Sequence, residues 1–82
     1  MTKLLYFGRL SDITGAAEES LTLPDTISTA GELRHFLDLR FDAQGALLEP
    51  TVRIAVNNEL CFDTTAISEA DEIAFMPPVG GG

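Results

Sequence analysis

Residues 72 to 82, Glu72-Ile73-Ala74-Phe75-Met76-Pro77-Pro78-Val79-Gly80-Gly81-Gly82, read as a strand running without a turn into a proline pair and an end free of side chains. Side chains alternate along extended backbone, so Ile73 and Phe75 share one face and Ala74 and Met76 the other. With Ile73 and Phe75 in the core, Met76 points outward at the base of the tail, where a flexible, polarisable side chain suits a partner surface. Pro77 and Pro78 have no N–H to give to a sheet, so the sheet ends there and the backbone stays extended. Val79, Gly80, Gly81 and Gly82 follow, an end that cannot pack but can thread. Fully extended, residues 77–82 reach up to ~20 Å. The chain therefore divides into a folded domain, residues 1–76, and a C-terminal tail, residues 77–82, whose candidate reactive group is the Gly82 α-carboxylate.

Working outward from that strand, Thr51 to Val56 alternates strictly enough to predict a second strand with Val52, Ile54 and Val56 inside. Asn57-Asn58 is a turn signal, because asparagine tolerates positive φ, and a brief strand over Glu59 to Phe62 pairs back. Upstream, Thr29-Ala30-Gly31-Glu32 matches the capping box and starts a helix. Ala30, Leu33, Phe36 and Leu37 recur at three- and four-residue spacing, which packs Leu33, Phe36 and Leu37 on the sheet and puts Glu32, Arg34, His35 and Asp38 on the other sides. One short helical turn around Ala43 to Leu48 is expected, capped by Asp42 and interrupted at Gly45.

At the start of the chain, Lys3 to Leu10 predicts the first strand. Leu5 and Phe7 share the parity of the charged Lys3 and Arg9, which turns Leu4 and Tyr6 to the core and leaves Leu5 and Phe7 as an exposed apolar patch. Ser11 to Ala17 is expected to be a loop and Glu18 to Leu23 a strand completing a hairpin, ended by Pro24-Asp25. The order is strand, strand, helix, strand, strand, strand, with the first and last strands as parallel central neighbours. That is an α+β chain, a five-stranded mixed sheet with one main helix packed on one face, the β-grasp pattern.

Composition bounds what such a domain does. Eighty-two residues hold one small core, and 45% hydrophobic with 22% charged residues is globular rather than disordered. Thirteen acids against Lys3, Arg9, Arg34, Arg40 and Arg53 give a formal net charge of -8, which repels nucleic acid and favours a basic protein partner. No apolar run approaches the ~18 residues of a membrane span, and Met1-Thr2-Lys3 opens no signal-peptide core, so no membrane association and a cytoplasmic location are expected. Cys61 is the single cysteine, which leaves no internal disulfide, thiolate metal cluster or redox pair. It reads as a small strand residue. His35, the single histidine, has no carboxylate or cysteine nearby in sequence and is assigned no role. Lys3, the sole lysine, makes the chain a poor substrate for isopeptide-linked polymers of itself.

The element order and the run Phe75 to Gly82 resemble the MoaD/ThiS family of ubiquitin-like proteins, in particular its molybdopterin synthase sulfur-carrier (small) subunits. The similarity covers essentially the whole chain: Leu4 to Gly15 as first strand and loop, Thr29 to Leu37 as helix start, Ala55-Val56-Asn57 as third strand and Asp71 to Gly82 as the signature end. A Gly-Gly terminus alone is weakly specific; Pro-Pro-Val after Asp-Glu-Ile-Ala-Phe is far more so. Met76 stands where an aromatic is common in the family, and Gly80 where the family varies.

The resemblance implies that the Gly82 carboxylate is adenylated by an adenylyltransferase of the ubiquitin-activating type and converted to a thiocarboxylate. It further implies that Pro77, Pro78, Val79, Gly80 and Gly81 thread into the large subunit of molybdopterin synthase, where sulfur passes to cyclic pyranopterin monophosphate to form molybdopterin. Phe7, Leu60 and Met76 become a docking surface shared by the two partners, in a heterotetramer of two small and two large subunits. No cofactor or metal is expected on this chain; ATP and Mg²⁺ belong to the activating partner, and the chain is non-catalytic on its own. A carrier for thiamine-thiazole or tRNA thiolation, a ubiquitin-like protein modifier and a plain binding module share parts of this pattern. Pro-Pro-Val favours the molybdenum route.

Overall fold

The computed structural model describes residues 1–78. Five strands, β1 (Thr2–Tyr6), β2 (Glu18–Leu21), β3 (Arg53–Val56), β4 (Glu59–Leu60) and β5 (Glu72–Met76), form one sheet in the order β2-β1-β5-β3-β4. β5 is central. It runs parallel to β1, with Leu4 opposite Ile73 and Tyr6 opposite Phe75, and antiparallel to β3, with Ile54 opposite Phe75. The main helix, α2 (Ala30–Arg40), lies over one face, as the β-grasp pattern requires.

Alternation decides which face that is. Leu4, Tyr6, Ile54, Ile73 and Phe75 all turn to the helix side and are buried with Leu33 and Leu37 from α2. The Tyr6 ring stacks on Phe75 at 5.8 Å and meets Phe41 edge-on at 6.0 Å. The Tyr6 hydroxyl donates to Glu19 Oε2 at 2.7 Å, and Arg40 Nη1 donates to Glu19 Oε1 at 2.9 Å, which ties the end of α2 to β2. Burial, reinforced by that carboxylate, holds the Tyr6 phenol far above its ordinary pKa.

The first turn of α2 satisfies all its exposed donors. Thr29 Oγ1 accepts from the Glu32 N–H while the Glu32 carboxylate accepts from the Thr29 and Ser28 N–H groups, the capping box read from the sequence. The Ala30 and Gly31 N–H groups donate to the carbonyls of Thr65 and Asp63, both at 2.9 Å. Gly31 is needed for that approach, since a Cβ there would stand 2.9 Å from the Asp63 Cβ and 3.0 Å from its carbonyl oxygen.

Several elements differ from the sequence expectation. β1 stops at Tyr6, and the expected loop after Leu10 begins with a one-turn helix, α1 (Leu10–Thr14), because a turn lets Leu10 and Ile13 reach the core together. β2 ends at Leu21, β3 begins only at Arg53 and β4 has two residues, Glu59 and Leu60. The turn expected around Ala43 to Leu48 is a 3-10 helix over Ala46–Leu48 that starts after Gly45; Asp42, at φ 50, does not cap it.

Arg34 and Asp38 were placed away from the core and are instead buried, each 7% exposed. One helical turn apart, they clasp the same peptide: Asp38 accepts from the Leu47 and Gly45 N–H groups, and Arg34 Nε donates to the Leu47 carbonyl at 2.9 Å. Arg34 Nη2 also donates to the carbonyls of Glu49 and Val52, and Nη1 to Asp63 Oδ1. A buried charge persists only when its donors are matched. Here four acceptors match them.

Candidate functional site

The sheet face away from α2 carries the second set of alternating residues. The register sets Leu5, Ala74, Ala55 and Leu60 in one row across four strands, with Met76 and Arg53 as the next pair along. The two alanines, being short, form a low floor. Leu5, Phe7, Leu60 and Met76 rise around it to make a shallow apolar hollow, edged by Asn58. Phe7 is 49% exposed and Leu60 64%.

Phe7, Leu60 and Met76, three residues far apart in sequence, are therefore brought together on one surface. Met76 is half-buried rather than fully outward, because it packs between this hollow and a second groove on its other side. Charges frame the far end of the face: Lys3 Nζ lies 3.3 Å from Glu18 and 4.0 Å from Glu72.

β5 ends against this hollow, and the chain leaves the sheet through Pro77 and Pro78 as the sequence predicts. The Phe7 N–H donates to the Phe75 carbonyl at 3.0 Å, which extends the parallel pairing to the last core residue. Gly8 then turns away at φ +57 and the Pro77 ring packs on it; a Cβ at Gly8 would lie 2.9 Å from Pro77 Cγ. Only glycine meets both demands without strain. Val79, Gly80, Gly81 and Gly82, to which tail threading and the reactive carboxylate are assigned, lie outside the described residues.

The remaining candidates for chemistry stay apart. His35 is exposed on α2. Cys61 is partly buried with its thiol pKa raised, first by burial, which disfavours the nucleophilic thiolate. Among the described residues no three His, Cys, Asp or Glu side chains are grouped to hold a metal, and no helix is long and apolar enough to cross a membrane.

Sequence reasoning missed the second groove, walled by Pro50, Leu60, Met76, Pro77 and Pro78, with Arg53 inside it. Alternation does turn Arg53 outward. What it lacks is the register that sets Arg53 directly opposite Met76.

The chain is 32% identical to the molybdopterin synthase sulfur carrier subunit of Haemophilus influenzae, over the whole of both chains. It is 31% identical to the subunit of that name from Arabidopsis thaliana, over 98% of this chain and 81% of the relative. Among solved structures it superposes on the small archaeal modifier protein 1 of Haloferax volcanii with a TM-score of 0.80 at 21% identity, covering 95% of this chain and 97% of that one. It also superposes on a protein in the complex of subunits 1 and 2 of the molybdopterin-converting factor from Helicobacter pylori, with a TM-score of 0.63 at 22% identity, covering 99% and 97%. At those identities the structures speak for the fold, whereas the profile of the ThiS family matches residues 4–82, from the first strand through the glycine end. The chain belongs to the ThiS family.

Proposed function

We propose that this chain is the sulfur-carrier subunit of a molybdopterin synthase, acting in the cytoplasm through the Gly82 carboxylate. The observation that carries the reading is the placement of the base of the tail, Pro77 and Pro78. A central strand leads directly into Pro77 and Pro78, beside an apolar hollow that Phe7, Leu60 and Met76 build together. The names of the full-length relatives from Haemophilus influenzae and Arabidopsis thaliana support the same route.

The chemistry follows from the acyl group. A carboxylate is a poor acyl donor, so an activating partner joins it to the α-phosphate of ATP and releases pyrophosphate. Mg²⁺ and basic groups of that partner balance the charge on phosphate. A hydrosulfide-level sulfur then attacks the acyl carbon, forming the C–S bond as the C–O bond to AMP breaks; AMP leaves, and a thiocarboxylate remains. Docked on the large subunit, the thiocarboxylate sulfur bonds to a carbon of cyclic pyranopterin monophosphate, and water then cleaves the acyl C–S bond, which leaves the sulfur on the pterin and restores the Gly82 carboxylate. This chain binds neither ATP nor metal. Its part is to hold the acyl end at a fixed distance from a docking face, and glycine at the end lets a narrow tunnel close around bare backbone. The Helicobacter pylori complex of subunits 1 and 2 of the molybdopterin-converting factor supports a large-subunit partner.

Intact-mass measurement of the chain co-expressed with its activating enzyme and a sulfur source tests this. One oxygen exchanged for sulfur at Gly82 is expected. Carboxylate alone, or a conjugate to a lysine, refutes the sulfur-carrier reading and, in the second case, favours a protein modifier.

A further inference from the structure

We propose that Arg53 is a specificity determinant for docking, and that the protein surface covering the groove at the base of the tail presents a carboxylate to its guanidinium. The inference deepens the sulfur-carrier reading and rests on it for the partner used as probe.

Arg53 is exposed on the outer face, opposite Met76, in a groove otherwise walled by proline rings, Leu60, Met76 and Thr51. Among the described residues it is the one charged residue lining that groove. The other cations are differently placed. Lys3 pairs with Glu18 and Glu72, Arg34 with Asp63, and Arg40 with Glu19, while Arg9 shares its surroundings with Asp12 and Glu49. Arg53 also borders a second hollow that holds Asp63, but that carboxylate is paired with Arg34 at 2.9 Å, and no ion pair to Arg53 forms among the described residues.

Leu60 and Met76 line both the groove and the apolar hollow, so a partner closing over the hollow also covers Arg53. Covering strips water from the guanidinium, and a desolvated charge without a counter-charge opposes binding. The partner must therefore supply an acceptor there, and a carboxylate fits the planar fork of arginine with two parallel hydrogen bonds. This local demand is opposite in sign to that of the molecule as a whole, whose formal net charge of -8 draws it to basic surfaces.

That opposition of sign gives the test. Affinity of the full chain for the large synthase subunit is measured by calorimetry at several salt concentrations, for wild type, Arg53→Lys and Arg53→Gln, beside thermal unfolding of each chain. If only the overall charge matters, Arg53→Gln makes the carrier more acidic and binds a basic partner as well or better. With a carboxylate facing Arg53, Arg53→Gln loses at least about tenfold in affinity, Arg53→Lys falls between, and unfolding does not move. Unchanged or tighter binding of Arg53→Gln overturns the proposal, as does a loss of affinity matched by a loss of stability. The wild-type chain is weighed in parallel after incubation with the activating enzyme. Absence of a thiocarboxylate there counts against the sulfur-carrier reading alone, since the affinities decide the role of Arg53 separately.

Discussion

Replacing Arg34 by alanine tests whether the buried guanidinium holds the chain between α2 and β3. The side chain is 9% exposed and donates to three carbonyls, Leu47 at 2.9 Å, Glu49 at 3.0 Å and Val52 at 3.3 Å, and to Asp63 at 2.9 Å. The Asp63 pair contributes little, because that carboxylate is 63% exposed and water replaces the lost donor. The carbonyls matter more. Those of Leu47 and Val52 are acceptors in buried bonds, and each buried acceptor left without a donor costs about 1–3 kcal/mol. Allowing for water in the vacated space, Arg34→Ala should lose about 3 kcal/mol, a large share of the 5–15 kcal/mol typical of a folded domain. Arg34→Lys keeps the charge but not the fork and should lose about 1–2 kcal/mol. Urea denaturation followed by circular dichroism measures both, with the m-value checking that the unfolded state is unchanged. In thermal unfolding the alanine variant should drop by more than about 10 °C. A loss below about 1 kcal/mol for Arg34→Ala would refute the reasoning and leave the segment held by Leu47 packing and the Asp38 hydrogen bonds.

Three further outcomes are expected. Hydrogen bonds from the Ser28 backbone and side chain, and then from Thr29, lower the Glu32 pKa, so its stabilising effect is present above the ordinary carboxylate range and is lost as pH falls through the depressed folded value; acid titration of Glu32→Gln should lack that part of the transition, and an unchanged profile would dismiss the capping-box contribution. Met76→Asp should weaken binding of the large subunit much more than it lowers the unfolding temperature, because one side of Met76 faces the open hollow; equal damage to both would mean that Met76 serves the fold. Deleting Gly82 should abolish sulfur transfer with thermal unfolding nearly unchanged, since no core residue is removed, and a large fall in stability would show that the tail is structural.

Alternation and capping made most of this fold legible. β5 was bounded residue for residue because Glu72 to Met76 lies between a polar turn and a proline pair, and α2 began where Thr29 and Glu32 cap it. Periodicity failed where polar residues do core work. Arg34 and Asp38 lie beside the apolar stripe of α2, and nothing local reveals that their targets are backbone groups of residues 45–52. The turn that follows the shortened β1 is also hard to read locally, since Gly8 at φ +57 lies against the ring of Pro77, almost seventy positions away. Of the candidate site, Phe7 and Met76 could be turned outward from parity. The low floor of Ala55 and Ala74, and the place of Arg53 beside the tail, depend on strand register, which alternation does not supply.

The central position of β5 explains why a carrier would be built this way. An edge strand bearing the tail would be hydrogen-bonded on one side only and could fray, moving the acyl end relative to any docked surface. β5 is held on both sides, by β1 and β3, and its last core residue, Phe75, is paired by the Phe7 N–H. The hollow is made from the outward residues of these same strands, and Leu5, Ala74 and Ala55 are its central row. The hollow and the base of the tail are thus parts of one hydrogen-bonded unit. On the sulfur-carrier reading, a partner seated on the hollow would meet Pro77 and Pro78 at one place and in one direction, because both belong to that unit. If the proposed activating enzyme and large subunit both work on that carboxylate, a matching face is what each would need to receive it in the same orientation.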